Sequence, residues 1–235
     1  MFRPNLAELM LTDCCGMLVN CMNCSATRAA RGRVLALLIM VVAVLASAGC
    51  SRSQPELPVL DTNATVLAFG DSITRGNGAG ARESYPVVLG ELIGRRVINA
   101  GKAGELSRDG LKRLPGLLAY YRPRLVILTH GGNDFLRLMD KRETEENLRQ
   151  MILLIQRRDV SVVLVAVPEP GIMLSPPDLY TNLAEQFNLP YEGDVLSYIY
   201  RRAALKSDPI HPNARGYRKL AQSLAELLRD GGALE

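Results

Sequence analysis

Tryptophan is absent from the 235 residues, phenylalanine occurs four times, and histidine only twice, at His130 and His211. No run of aromatics offers a platform for a sugar ring. Cysteine is confined to the first fifty positions, as Cys14, Cys15, Cys21, Cys24 and Cys50. Everything after Cys50 therefore lacks both disulfides and thiol chemistry. The four early cysteines match no tetrahedral zinc spacing well and have no histidine beside them, so no metal site is expected. Strong charge is lacking too. The chain carries net +4, and residues 50–235 alone carry 24 basic against 22 acidic side chains, or +2. That balance argues against nucleic acid as a partner. The arginine pairs at 95–96, 157–158 and 201–202 read as solvated helix ends.

What the N-terminus does have is an uncharged apolar run. Arg28, Arg31 and Arg33 precede Val34–Ala46, which ends in Ser47-Ala48-Gly49-Cys50. A basic stretch, an apolar run too short to span a bilayer comfortably and a small-residue cleavage site describe an export signal. The closing cysteine resembles the lipobox of bacterial lipoproteins, although Ser47 stands where that motif usually has leucine. Residues 1–49 are expected to be the targeting segment and Cys50 the lipid attachment point. That places the chain in a bacterial cell envelope, membrane-anchored and facing the periplasm. An uncleaved anchor and a soluble periplasmic product stay open as alternatives. Translation starting at Met17 or Met22 would leave a signal of ordinary length.

Residues 50–63 are polar and contain proline, and are expected to form a tether before a domain at 64–235. Strand signals lie at Thr65–Phe69, Arg96–Asn99, Arg124–Thr129 and Ser161–Val167. The first, third and fourth are continuous apolar runs suited to a sheet covered on both faces. Helical signals fall between them, near Tyr85–Ile93, Ser107–Tyr121 and Glu143–Arg157. A last helix is expected over Asn213–Leu228, capped by Asn213. This alternation predicts an α/β fold with a mostly parallel sheet and helices on both sides.

The chemistry-bearing segments fall on one edge of that sheet. Gly70-Asp71-Ser72-Ile73-Thr74 follows the first strand, Gly101–Gly104 the second, and Gly131-Gly132-Asn133-Asp134 the third. Ligands bind beyond the carboxyl ends of strands in such folds. Asp208-Pro209-Ile210-His211-Pro212 precedes the last helix and is free to reach them. A hydroxyl, an imidazole and a carboxylate are the three groups of nucleophilic serine catalysis. Thr74 stands where a G-x-S-x-G elbow needs glycine, which disfavours the α/β-hydrolase arrangement.

These segments, in this order, resemble the SGNH (GDSL) hydrolase superfamily, and among its branches the bacterial thioesterase I and arylesterase-like one. The resemblance covers roughly residues 64–230 and implies a three-layer, flavodoxin-like sandwich. It implies Ser72 as nucleophile, with Asp208 and His211 completing the catalytic set. The oxyanion hole would take the N–H groups of Ser72 and Gly104 and the amide of Asn133. Ala103-Gly104-Glu105 departs from the Ser-Gly-Asp of that branch. The implied activity is hydrolysis of carboxylic esters or thioesters through an acyl-enzyme, with a small acyl ester or thioester as substrate and no cofactor. A carbohydrate O-deacetylase or lysophospholipase of the same superfamily, and a non-catalytic lipid-binding envelope lipoprotein, are the alternatives. Pro168–Tyr180 reads as a loop lining an acyl pocket, or else a rigid surface connection. His130 reads as structural. Oligomeric state has no signature in the sequence.

Overall fold

The computed structural model describes residues 54–171 and 173–234. Its elements follow the apolar runs: β1 (Thr65–Gly70), α1 (Ser72–Arg75), α2 (Tyr85–Ile93), β2 (Arg96–Gly101), α3 (Ser107–Tyr121), β3 (Leu125–Thr129) and α4 (Gly132–Leu136). They continue with α5 (Lys141–Gln156), β4 (Ser161–Val165), α6 (Leu179–Gln186), β5 (Tyr191–Glu192), α7 (Val195–Tyr200), a 3-10 turn (Ala203–Leu205) and α8 (Ala214–Asp230). All five strands are parallel, in the order β2-β1-β3-β4-β5. That is the flavodoxin-like doubly wound order, as the family resemblance implies.

The apolar content of each strand matches its place. In β1, β3 and β4 nearly every residue is buried, whereas β2, at the edge, is half-exposed along its length. Helix α2 packs on α8, while α3 packs on α5 and α5 on α6. The two groups cover the two faces of the sheet. Helix α8 turns Leu220, Leu224, Leu227 and Leu228 inward, and Asn213 caps it by accepting from the N–H groups of Arg215 and Gly216.

Differences from expectation are local. Residues 50–63 were expected as a tether, but from Gln54 onward the chain lies against the domain. Leu57 N–H donates to Gly231 O at 2.7 Å, Leu60 N–H donates to Ala233 O at 2.9 Å, and both leucine side chains are buried. Burial of Leu57 and Leu60 supplies the reason, while Val59 between them stays exposed. Strand β4 stops at Val165 rather than Val167: Ala166 N–H still donates to Glu192 O at 2.9 Å, and Pro168, two residues on, has no N–H to extend the ladder. Helix α5 starts at Lys141 rather than Glu143 because the Asp140 side chain accepts from Arg142 N–H. Helix α6 takes up Leu179 and Tyr180 from the expected loop. The apolar run at 34–46 and Cys50 lie outside the described residues. Among the described residues no helix is long and apolar enough to cross a membrane.

Candidate active site

Strands β1 and β3 are neighbours, yet the chain leaves them toward opposite edges of the sheet, which makes their carboxyl ends the topological switch point. Ser72 opens α1 immediately after β1, and Gly132-Asn133 opens α4 after β3. Asp71 caps α1, its Oδ1 accepting from Ile73 N–H at 3.0 Å. Gly76 closes the helix at φ 97°, with its N–H on Ser72 O. Gly70 has no room for a side chain, since a Cβ there would meet Thr129 O at 2.1 Å. The single turn is thus pinned at both ends, and Ser72 is held between β1 and β3.

The base arrives from the loop before α8. Asn213 Nδ2 donates to Ala204 O and Lys206 O at 3.0 and 3.1 Å, which folds this loop back on itself. Asp208 Oδ1 accepts from the N–H groups of Ile210 and His211, leaving Oδ2 to accept from His211 Nδ1 at 2.8 Å. Nδ1 therefore carries the proton, and Nε2 is the acceptor for Ser72 Oγ, 3.0 Å away. Partial burial opposes charge on Asp208, but the His211 ring and the two backbone N–H groups outweigh it and hold this carboxyl below its ordinary pKa.

On the other side of Ser72 stand the hydrogen-bond donors. No acceptor among the described residues takes the backbone N–H of Ser72 or of Gly104, the latter in a left-handed turn at φ 73°. Asn133 Nδ2 donates to Asp71 Oδ2 at 3.2 Å and to Glu105 O at 3.1 Å. Its amide is therefore oriented by the residue before the serine and by the loop after β2. Burial, first of all, raises the pKa of Asp71, against the lowering effect of His130, Ile73 N–H and His211.

Behind the donors lies a buried charged cluster. Arg113, on α3, donates through Nε to Glu105 at 2.7 and 2.8 Å and through a terminal nitrogen to Gly70 O and Ala100 O. His130 is fully buried, accepts Gly131 N–H at Nδ1 and meets Glu105 Oε2 through Nε2 at 3.3 Å. Burial raises the pKa of Glu105, but bonding to His130 and Arg113 overrides it and brings the carboxyl down to about 2. Asp134 takes Ser107 Oγ and Ser107 N–H at 2.6 and 2.9 Å, joining α3 to α4. His130 is thus a support beneath the site, as its sequence context suggests.

Beside Ser72 opens a cavity of about 300 Å³, with apolar walls from Leu136, Val167, Leu174 and Ile210. Pro168, Glu169, Pro170 and Gly171 border it as well, so the Pro168–Tyr180 segment does line the pocket. Ser72, Asn133, Asp208, His211 and the Gly104 loop all meet at this edge. Sequence reasoning missed Asp71, Glu105, Arg113 and Asp134. Of these Asp71, Glu105 and Asp134 each lay inside a segment already quoted, and only Arg113 had no signal. Among the described residues no group of three or more His, Cys, Asp or Glu could hold a metal ion.

The chain is similar in sequence and in fold to known proteins. The chain is 30% identical over 173 residues to thioesterase 1/protease 1/lysophospholipase L1 of Escherichia coli K12, covering 70% of this chain and 83% of that protein. It is 29% identical to an arylesterase of Vibrio mimicus, over 69% of this chain and 87% of the relative. A solved structure of the psychrotrophic esterase EstA from Pseudoalteromonas superimposes with a TM-score of 0.64 at 25% identity, over 71% of this chain and all of that one. The sequence profile of the GDSL-like Lipase/Acylhydrolase family matches residues 68–219, which include Ser72, Asn133 and His211. The chain belongs to the GDSL-like lipase/acylhydrolase family.

Proposed function

We propose that this chain hydrolyses carboxylic esters and thioesters through an acyl-enzyme on Ser72. One observation carries the reading: His211 stands 3.0 Å from Ser72 Oγ while Asp208 stands 2.8 Å from its other ring nitrogen. Relatives named thioesterase, arylesterase and esterase support the same chemistry. Ser72 Oγ attacks the acyl carbonyl as its proton passes to His211 Nε2, and Asp208 stabilises the imidazolium. The carbonyl oxygen, now negative, takes the N–H groups of Ser72 and Gly104 and a share of the Asn133 amide. The tetrahedral adduct collapses, the alcohol or thiol leaves with the proton from Nε2, and water repeats the sequence in reverse to free Ser72. The apolar cavity favours an acyl chain over a sugar ring. Replacing Ser72 by Ala should abolish turnover of p-nitrophenyl butyrate in a folded protein, and retained turnover would remove Ser72 from the reaction.

The place of action is part of the proposal. The apolar run ending at Cys50 supports a lipid anchor at that cysteine in a bacterial envelope, with the enzyme facing the periplasm. One acyl chain binds a membrane marginally and several hold it. Wild type should take up labelled palmitate and the Cys50→Ala variant should not. An unlabelled wild type that stays in the membrane fraction points to an uncleaved anchor, and an unlabelled soluble one to a plain secretory signal.

A further inference from the structure

The cavity beside Ser72 holds two polar groups that the hydrolytic reading leaves without a task. Its other charges are committed: Asp71 accepts from Ile73 N–H and the Asn133 amide, and Glu169 is ion-paired to Lys141 at 2.7 Å. Lys206 borders the same cavity, is only half exposed, and has no side-chain partner among the described residues. Its backbone is fixed on both sides, with its N–H on Ala203 O and its carbonyl accepting from Asn213 Nδ2, so the side chain springs from a rigid base. Tyr200, at the end of α7, is 6% exposed, lines this cavity, and its hydroxyl bonds to no described residue. Ser72 lines the same cavity, so both groups face the space beside the reacting serine. An unpaired ammonium and an unpaired phenol on a cavity whose carboxylates are already bonded elsewhere are the complement of an anion, since charge-assisted bonds to both would be made only when one binds.

We propose that Lys206 and Tyr200 form a subsite for an anionic group carried by the substrate, so that the enzyme prefers esters or thioesters bearing a carboxylate or phosphate to neutral ones. The proposal rests on the ester-hydrolase reading of the same site. Two sources share this chemistry: a carboxylate at the far end of the acyl chain, or a phosphate on the leaving group.

Both are tested with matched pairs. Mono-p-nitrophenyl glutarate against p-nitrophenyl valerate places the charge on the acyl side, and butyryl-CoA against butyryl-N-acetylcysteamine places it on the leaving group. Wild type should favour the charged member of one pair by about tenfold in kcat/KM, the scale of one charge-assisted bond, and the pair that responds identifies the source. In Lys206→Gln that ratio should fall about tenfold, and in Tyr200→Phe it should fall less. Raised salt should lower it in wild type and in Tyr200→Phe but not in Lys206→Gln. No preference in either pair, or a preference that survives Lys206→Gln, overturns the subsite. Failure to hydrolyse any member of either pair would instead overturn the ester-hydrolase reading.

Discussion

Asn133 Nδ2 lies 3.2 Å from Asp71 Oδ2, so the amide offered to the substrate oxygen is aimed by the residue that precedes the nucleophile. Its other hydrogen goes to Glu105 O at 3.1 Å, which ties it also to the loop carrying Gly104, so the substrate oxygen takes its share from one of these two N–H groups. Removing the amide in Asn133→Ala should lower kcat by roughly 10²–10³ with KM little changed, the pattern of a donor used in the transition state. Asp71→Asn keeps the cap on Ile73 but sets one amide against another. A fall in kcat of about tenfold, about 1.4 kcal/mol, is expected there. Steady-state kinetics on p-nitrophenyl butyrate decide both, and an unchanged kcat in Asn133→Ala removes it from the oxyanion site.

Glu105 links stability to acid. Its carboxyl titrates at about 2 in the fold against 4.5 as an ordinary side chain, so the folded state holds the charged form. That contribution is complete above pH 4.5 and is lost as pH falls toward 2, a difference of about 3 kcal/mol. Glu105→Gln should therefore destabilise the protein at pH 7 by about that amount, since it also strands Arg113. It should also flatten the dependence of unfolding free energy on pH between 4.5 and 2. Urea titrations across this range measure it, and parallel slopes for variant and wild type would contradict the assignment.

Two glycines of α3 give opposite expectations for one substitution. A Cβ on Gly110 would meet His130 Nε2 at 2.4 Å and Cδ2 at 3.0 Å, and that ring is fully buried with both nitrogens engaged. A Cβ on Gly116 meets nothing within 4 Å. Alanine in a helix interior gains about 0.5–1 kcal/mol over glycine, while forcing a packed core apart costs about 1–3 kcal/mol. Gly110→Ala should lower the melting temperature and Gly116→Ala should raise it, as differential scanning calorimetry would show.

Much of this was legible in the sequence because the signals were local. Strands β1 and β3 are uninterrupted apolar runs, and the Ser72, Asn133 and His211 motifs each sit at a strand or helix boundary that turn chemistry marks. Helix α7 and the two-residue β5 were not legible: Val195–Tyr200 is a short apolar run without a distinguishing period, and β5 exists only by pairing with β4. The support beneath the site was hidden for a different reason. Glu105 and His130 are 25 residues apart, and Arg113 reaches Gly70 O across 43. Such contacts are made by the crossovers and leave no local pattern. The docked stretch from Gln54 to Leu60 looked like a linker because its partners, Gly231 and Ala233, lie at the other end of the chain.

The central claim is a covalent intermediate on Ser72 activated by His211, and trapping tests it most directly. The protein should be treated with a p-nitrophenyl alkylphosphonate, releasing one equivalent of nitrophenol, and the adduct located by peptide mass spectrometry. A single adduct on Ser72 is predicted, absent in Ser72→Ala and formed at least about 10²-fold more slowly in His211→Ala. An adduct on another residue, or stoichiometric labelling of Ser72→Ala, would contradict the account.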